Sequence, residues 1–170
     1  MKLKEAVKQI NPLEYANLLK KIELLDCYLK QVNYECPSRK TDGQATYNFT
    51  ETVGQVSIVE ELVSINVKYI IKAYSDEENI FELDAEYVLN YSIEGALSEE
   101  FFEIFKSYTL PLQSYPYFRE LTHSLTTRTG LSGLILPLRR VLKKESKEVE
   151  GQKKESKKSK KEAQSAKASN

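Results

Sequence analysis

The chain has 170 residues, 41% hydrophobic and 29% charged, with 25 basic and 25 acidic side chains that cancel to a formal net charge of zero. That length accommodates one domain with a single core plus an appendage. The longest apolar runs fall far short of the ~18 residues a membrane-spanning helix needs, which excludes a helical membrane protein.

At the start, MKLKEAVKQINPLEY interleaves charges with apolar residues and lacks the continuous apolar core of a signal peptide, so the expected location is the cytoplasm. Leu3, Ala6, Val7 and Ile10 recur at helical spacing and stop at Asn11. Asn11, Pro12 and Glu14 then supply an N-cap, a first-turn proline and an N3 carboxylate for a second short helix, expected to carry Leu13 and Leu19 into the core. From Lys20 to Cys36 the period leaves two readings open. Ile22, Leu25, Leu29 and Val32 fit a helix; alternatively Leu24, Asp26, Tyr28, Lys30, Val32 and Tyr34 line one face of a strand and Leu25, Cys27 and Leu29 the other. In a strand, Cys27 and Cys36 stand roughly 30 Å apart, too far for a disulfide, and their odd spacing puts them on opposite faces. Two free thiols suit a reducing compartment.

Asp42-Gly43 reads as a turn. The run from Ala45 to Tyr74 is rich in Thr, Val, Ile and Tyr, with Gly54 as a bulge or bend. Ile65, Val67, Tyr69, Ile71 and Ala73 alternate with polar residues, residues 75–79 (SDEEN) make a turn, and Phe81, Leu83, Ala85, Tyr87, Leu89, Tyr91 and Ile93 face away from Glu82, Asp84, Glu86, Asn90 and Ser92. Consecutive strands joined by short turns imply an antiparallel meander. After Gly95 the period changes: Ser98, Glu99 and Glu100 open a helix along which Phe101, Phe102, Phe105 and Tyr108 run, and Pro111 is expected to end it. Ser114 and Pro116 then begin another, with Phe118, Leu121 and Leu125 as its apolar stripe and Arg128 and Gly130 at its C-terminal end. Strands followed by helices define an α+β layout.

From Arg139 onward there are 12 Lys or Arg against 5 acids, a net of +7, whereas residues 1–138 hold 13 bases and 20 acids, a net of −7. Beyond residue 145 there is no aromatic residue and one Val, too little apolar surface to offset ordering entropy. The expected division is a domain over 1–144 and a disordered basic tail over 145–170. A basic arm for nucleic acid, ribosome, anionic lipid or an acidic protein is the functional alternative. Interspersed Glu and the lack of an aromatic to stack on a base argue against nucleic acid.

Catalysis has no candidate constellation. Glu120 and His123 make a single Glu-x-x-His step, where a di-metal centre needs paired copies, so they read as surface residues and no metal site is expected. No glycine-rich phosphate loop is present, and neither cysteine has a sequence-adjacent histidine. The pairs Glu60-Glu61, Glu77-Glu78 and Glu99-Glu100 read as turns or helix starts. The expectation is a protein that is not an enzyme and uses no cofactor.

The pattern Pro111, Pro116-Tyr117, Arg119-Glu120, Ser124-Leu125, Arg128, Leu131 and LILP at 134–137 resembles the C-terminal helix region of the bacterial protein-export chaperone SecB and of SecB-like proteins, some of which accompany toxin–antitoxin systems. The resemblance covers about 30 residues. It implies a four-stranded antiparallel sheet followed by C-terminal helices, which settles residues 21–36 as strand one. It also implies a dimer assembled into a tetramer through the helical layer, with Pro116, Tyr117, Arg119, Glu120 and Arg128 as the motif, and a translocation motor or an antitoxin as partner. In physical terms, Pro116 fixes the helix entry, Tyr117 and Phe118 bury against the sheet, and Arg119 bridges to a carboxylate or a chain-end carbonyl.

Seventeen aromatic residues, 11 of them Tyr and none Trp, exceed what one dry sheet face needs. Tyrosine, an apolar ring with a polar rim, suits surfaces that are sometimes wet and sometimes covered. With the resemblance, the expected function is an ATP-independent holdase whose groove takes unfolded or secretory polypeptide, lined by Tyr28, Tyr34, Tyr87, Tyr91, Phe102 and Phe105. The alternatives are a dedicated partner for one client, such as an antitoxin, and a SecB-fold protein without chaperone activity.

Overall fold

The computed structural model of the protein describes residues 10–38, 45–75 and 78–139. The chain divides into two units at Arg139/Arg140. The expected basic tail, the helical turns around Leu3 to Val7 and the Asp42-Gly43 turn lie outside the described residues.

Helix α1 (Pro12–Leu19) begins as its residues dictate: the Asn11 side chain accepts from the Glu14 amide at 2.8 Å, and Pro12 occupies the first turn, where no N–H is needed. Leu18 and Leu19 pack against the core, but Leu13 faces solvent. At about 100° per residue, Leu13 and Leu19 stand roughly 120° apart, and a helix that touches the sheet on one side cannot bury both.

Four long strands follow: β1 (Ile22–Glu35), β2 (Thr46–Val59), β3 (Leu62–Ser75) and β4 (Glu78–Ile93). The sheet is antiparallel throughout, in the order β1-β4-β3-β2. Strands β2, β3 and β4 form the expected meander, with Glu60 at φ 55° in the tight turn at the acidic pair Glu60-Glu61. β1 departs from it by pairing with β4 instead of β2. Apolar content sorts the strands: Val63, Ile65, Val67, Tyr69, Ile71 and Ala73 of β3 and Phe81 through Ile93 of β4 make two unbroken dry rows, which belong at the centre. The opposite face carries cross-strand ion pairs, Lys68–Asp84 at 2.8 Å, Lys72–Glu82 at 2.9 Å and Lys30–Glu86 at 3.0 Å.

Register shifts in β1 after Leu24 and after Leu29 change its expected faces. Leu25 and Lys30 are the extra residues, so each bulge reverses the alternation that follows it. Leu24, Cys27, Leu29, Val32 and Tyr34 pair with dry-face residues of β4, whereas Asp26 and Tyr28 pair with Asn90 and Val88 on the other face. Cys27 and Cys36, expected on opposite faces, both pack against the core, and both are free thiols. Gly54 lies in the β2 register shift between Val53 and Val56, as its sequence suggests.

Gly95, at φ 76°, turns the chain out of β4, and Ser98 caps α2 (Glu99–Ile104) by accepting from the Phe101 amide. A π-helical turn (Phe105–Thr109) and α3 (Leu110–Arg128) continue the same path. Pro111 therefore does not end a helix and Pro116 does not start one. The wider turn, in which the Leu110 amide reaches the Phe105 carbonyl, lies directly before Pro111, a first-turn residue of α3 that needs no N–H. Pro116 is inside α3, where proline ordinarily costs ~3 kcal/mol, and the buried Tyr115 and Phe118 on either side of it anchor the helix to the sheet. At the far end Gly130, at φ 81°, and the Leu131 amide, bonded to the Thr126 carbonyl, close α3 as expected.

Candidate functional site

The helical layer lies over the dry face of the sheet through aromatic contacts. Tyr69 stacks on Phe118 with centroids 4.8 Å apart, and its hydroxyl meets Ser114 Oγ at 2.6 Å. Tyr91 meets Phe105 edge-on and donates to Gln113 Oε1 at 2.8 Å. Phe49 of β2 touches Tyr69, Tyr115 and Phe118. Burial pushes the Tyr69 phenol up to about 12 and raises those of Tyr87 and Tyr91 further. Burial, with Asp26 adding to it, also pushes the Cys27 thiol up to about 11. These groups stay neutral near pH 7, and a thiol held protonated is a poor nucleophile. Among the described residues no group of three or more His, Cys, Asp or Glu is placed to hold a metal ion, and no helix is long and apolar enough to cross a membrane.

The six aromatics expected to line one groove do not converge. Tyr87, Tyr91 and Phe105 are buried in the core. Tyr34 is half-buried, its hydroxyl 2.9 Å from Thr129 Oγ1, and Phe102 is half-buried beside Phe101. Tyr28 stands exposed on the opposite face, sent there by the β1 bulges. Of the motif residues, Pro116, Glu120 and Arg128 are exposed, and Arg119 Nε donates to the Leu136 carbonyl at 2.6 Å. Phe118 is buried as expected. Tyr117 is 47% exposed, with its ring 6.5 Å from that of Tyr87.

Two apolar strips flank α3, made mostly of residues other than the six expected aromatics. On one side, Leu29 and Val32 of edge strand β1 face the helical layer yet remain 38% and 41% exposed. Leu29 pairs with Tyr87, whose ring approaches Tyr117, so Leu29, Tyr87 and Tyr117 form a continuous patch beside the outer strand of the sheet. On the other side, Tyr47, Phe49, Val56 and Ile58 of edge strand β2 are exposed on the helical face. There residues 131–139 run alongside α3. Leu131 and Leu136 are buried, Tyr115 Oη donates to the Pro137 carbonyl at 3.0 Å, and Arg139 pairs with Glu51. The signal for the strips was strand order: the inward residues of β1 and β2 look like those of β3 and β4, and only their place at the edges leaves them uncovered.

A four-stranded antiparallel sheet with one face under a helical layer, a short N-terminal helix before it and two apolar strips beside the long helix make up a SecB-like α+β fold. No family model and no curated protein matches the sequence. Among solved structures, the chain is similar to the Mycobacterium tuberculosis Rv1957 SecB-like chaperone, determined in complex with a ChAD peptide from the Rv1956 HigA1 antitoxin. The TM-score is 0.66 at 18% identity, over 82% of this chain and 100% of that one. A protein of unknown function from Streptococcus agalactiae aligns at a TM-score of 0.37 and 14% identity, over 68% of this chain and 96% of that one.

Proposed function

We propose that the protein is an ATP-independent holding chaperone that binds extended, apolar stretches of unfolded polypeptide. The observation that carries this reading is the exposed patch of Leu29, Val32 and Tyr117 beside the outer strand β1. An extended segment there can place alternate side chains on the patch and offer its backbone to the strand edge. The half-buried Tyr34 extends the row along β1, and the buried Tyr87, paired with Leu29 and close to the Tyr117 ring, lies beneath it. Holding of this kind transfers no chemical group and needs no cofactor.

One such patch with a Kd of about 1 mM supplies only ~4 kcal/mol, so useful holding requires several linked patches on a homo-oligomer, a dimer or tetramer. The exposed Pro116, Glu120 and Arg128 of the motif helix are the candidate assembly surface, which leaves Tyr117 to the client patch. Free cysteines fit a cytoplasmic setting, where secretory precursors awaiting a translocation motor are one source of clients. The test is suppression of aggregation of a refolding client by the full chain at stoichiometric ratio. Protection is expected, and failure with every client tried sinks the reading.

A second reading, a dedicated partner for one client such as an antitoxin, is favoured by the peptide complex of the similar M. tuberculosis chaperone. A pull-down with one dominant client selects it; many clients select the generalist.

A further inference from the structure

Residues 131–139 are held as a bound peptide is held. Among the described residues, no backbone–backbone hydrogen bond joins 132–139 to the sheet or to a helix. Side chains grip this backbone instead: the Leu134 amide donates to Thr126 Oγ1 at 3.0 Å, the Leu136 carbonyl accepts from Arg119 Nε at 2.6 Å, and the Pro137 carbonyl accepts from Tyr115 Oη at 3.0 Å. Leu134 and Leu136 turn inward, while Ile135 and Leu138 are 65% and 70% exposed. Gly133 sits so close to α3 that a Cβ would come within 2.5 Å of Thr127 Oγ1 and 2.6 Å of His123. The left-handed Gly130 provides a hinge at the start.

We infer that the channel between α3 and β2 is a second site for extended polypeptide, occupied in cis by residues 131–139, and that a client segment of the same chemistry, spaced leucines with a proline after the third, displaces this strap. The inference rests on the holding reading and adds a second subsite with its regulation. A segment with no backbone ladder, gripped only by side chains and leaving Ile135 and Leu138 in water, is held less firmly than the central strands, so it opens below global unfolding. Competition follows: a ligand that needs the channel open binds with its intrinsic Kd divided by the open fraction. The exposed Tyr47 and Phe49 border the channel and extend the apolar surface available to a longer ligand.

The experiment uses the full chain and a labelled peptide with the sequence of residues 131–139. Leu136→Ala weakens the strap, Gly133→Ala pushes it from α3, and Ile135→Ala, on its solvent side, is the control. Leu136→Ala is expected to bind the peptide at least 10-fold more tightly than the wild type, Gly133→Ala to shift the same way, and Ile135→Ala to stay within 2-fold. Amide hydrogen exchange on the unmodified chain reads the strap directly, with faster exchange expected at Leu134 and Leu136 than at β3 and β4. Exchange of those amides only with the sheet, or no gain of peptide affinity in a Leu136→Ala protein that is folded by circular dichroism, overturns the inference. Opening of the strap in a chain that protects no client would instead count against the holding reading alone.

Discussion

Strands β3 and β4 at the centre of the sheet and β1 and β2 at its edges are built from the same residue types, yet their apolar faces end differently. Every helix-facing side chain from Val63 to Ala73 and from Phe81 to Ile93 is buried. Leu29, Val32, Val56 and Ile58 point the same way and stay exposed, because one helical layer spans the middle of the sheet but not its full width. The centre therefore serves stability, while the flanks are the part of the same face left exposed among the described residues. An exposed apolar surface of this kind marks an interaction site when it is contiguous.

The comparison breaks most readily at Phe118, the central anchor of α3. Phe118→Ala is expected to cost about 3–5 kcal/mol in a urea titration, and a loss below ~1 kcal/mol would show that the centre is not where stability resides. Tyr69→Phe keeps the ring and removes the hydroxyl beside Ser114; because Ser114 Oγ also donates to the Leu110 carbonyl, the expected loss is about 1 kcal/mol. At the flank the order inverts. The pair Leu29→Asp and Val32→Asp should change stability by less than ~1 kcal/mol, while aggregation assays show lost client protection; retained protection would move the site elsewhere. The smallest effect belongs to the polar face. Lys30, hydrogen-bonded to Glu86, holds that carboxyl below its ordinary value. The pair thus stabilises the fold above the unfolded glutamate pKa of about 4.3, and the contribution is lost as pH falls through the lower folded value. Glu86→Gln should flatten the melting temperature against pH slightly in that acidic window and leave the slope unchanged near neutrality.

Much of the fold was legible because single residues announce it. Asn11 and Ser98 cap helices, Gly95 and Gly130 turn the chain at positive φ, and every second residue of β4 from Phe81 to Ile93 is apolar and buried. The SecB-like pattern in the helical region led to the right fold. What was not legible depended on partners distant in sequence. Two bulges in β1 carry no glycine or proline, so Tyr28 and Tyr34 look like neighbours on one face when they are not. Pro111 and Pro116 read as helix punctuation, although the preceding π-turn and the packing of Phe118 carry the helix through both. The aromatic count pointed to a surface, but eight of the 17 rings are core, where the Tyr69 hydroxyl finds a buried partner in Ser114. Leu29 and Val32 were hidden because exposure at an edge is a property of strand order, and no local pattern records it.

The irregularities of the outer strands also bear on how the molecule avoids its own kind. Strand β1 pairs in uninterrupted runs of only three to five residues between its bulges, and β2 is broken at Gly54. Short, twisted stretches of edge make a poor template for an identical neighbour and so disfavour growth into a fibril. A sheet with an exposed apolar margin thereby keeps that margin too uneven to polymerise with itself.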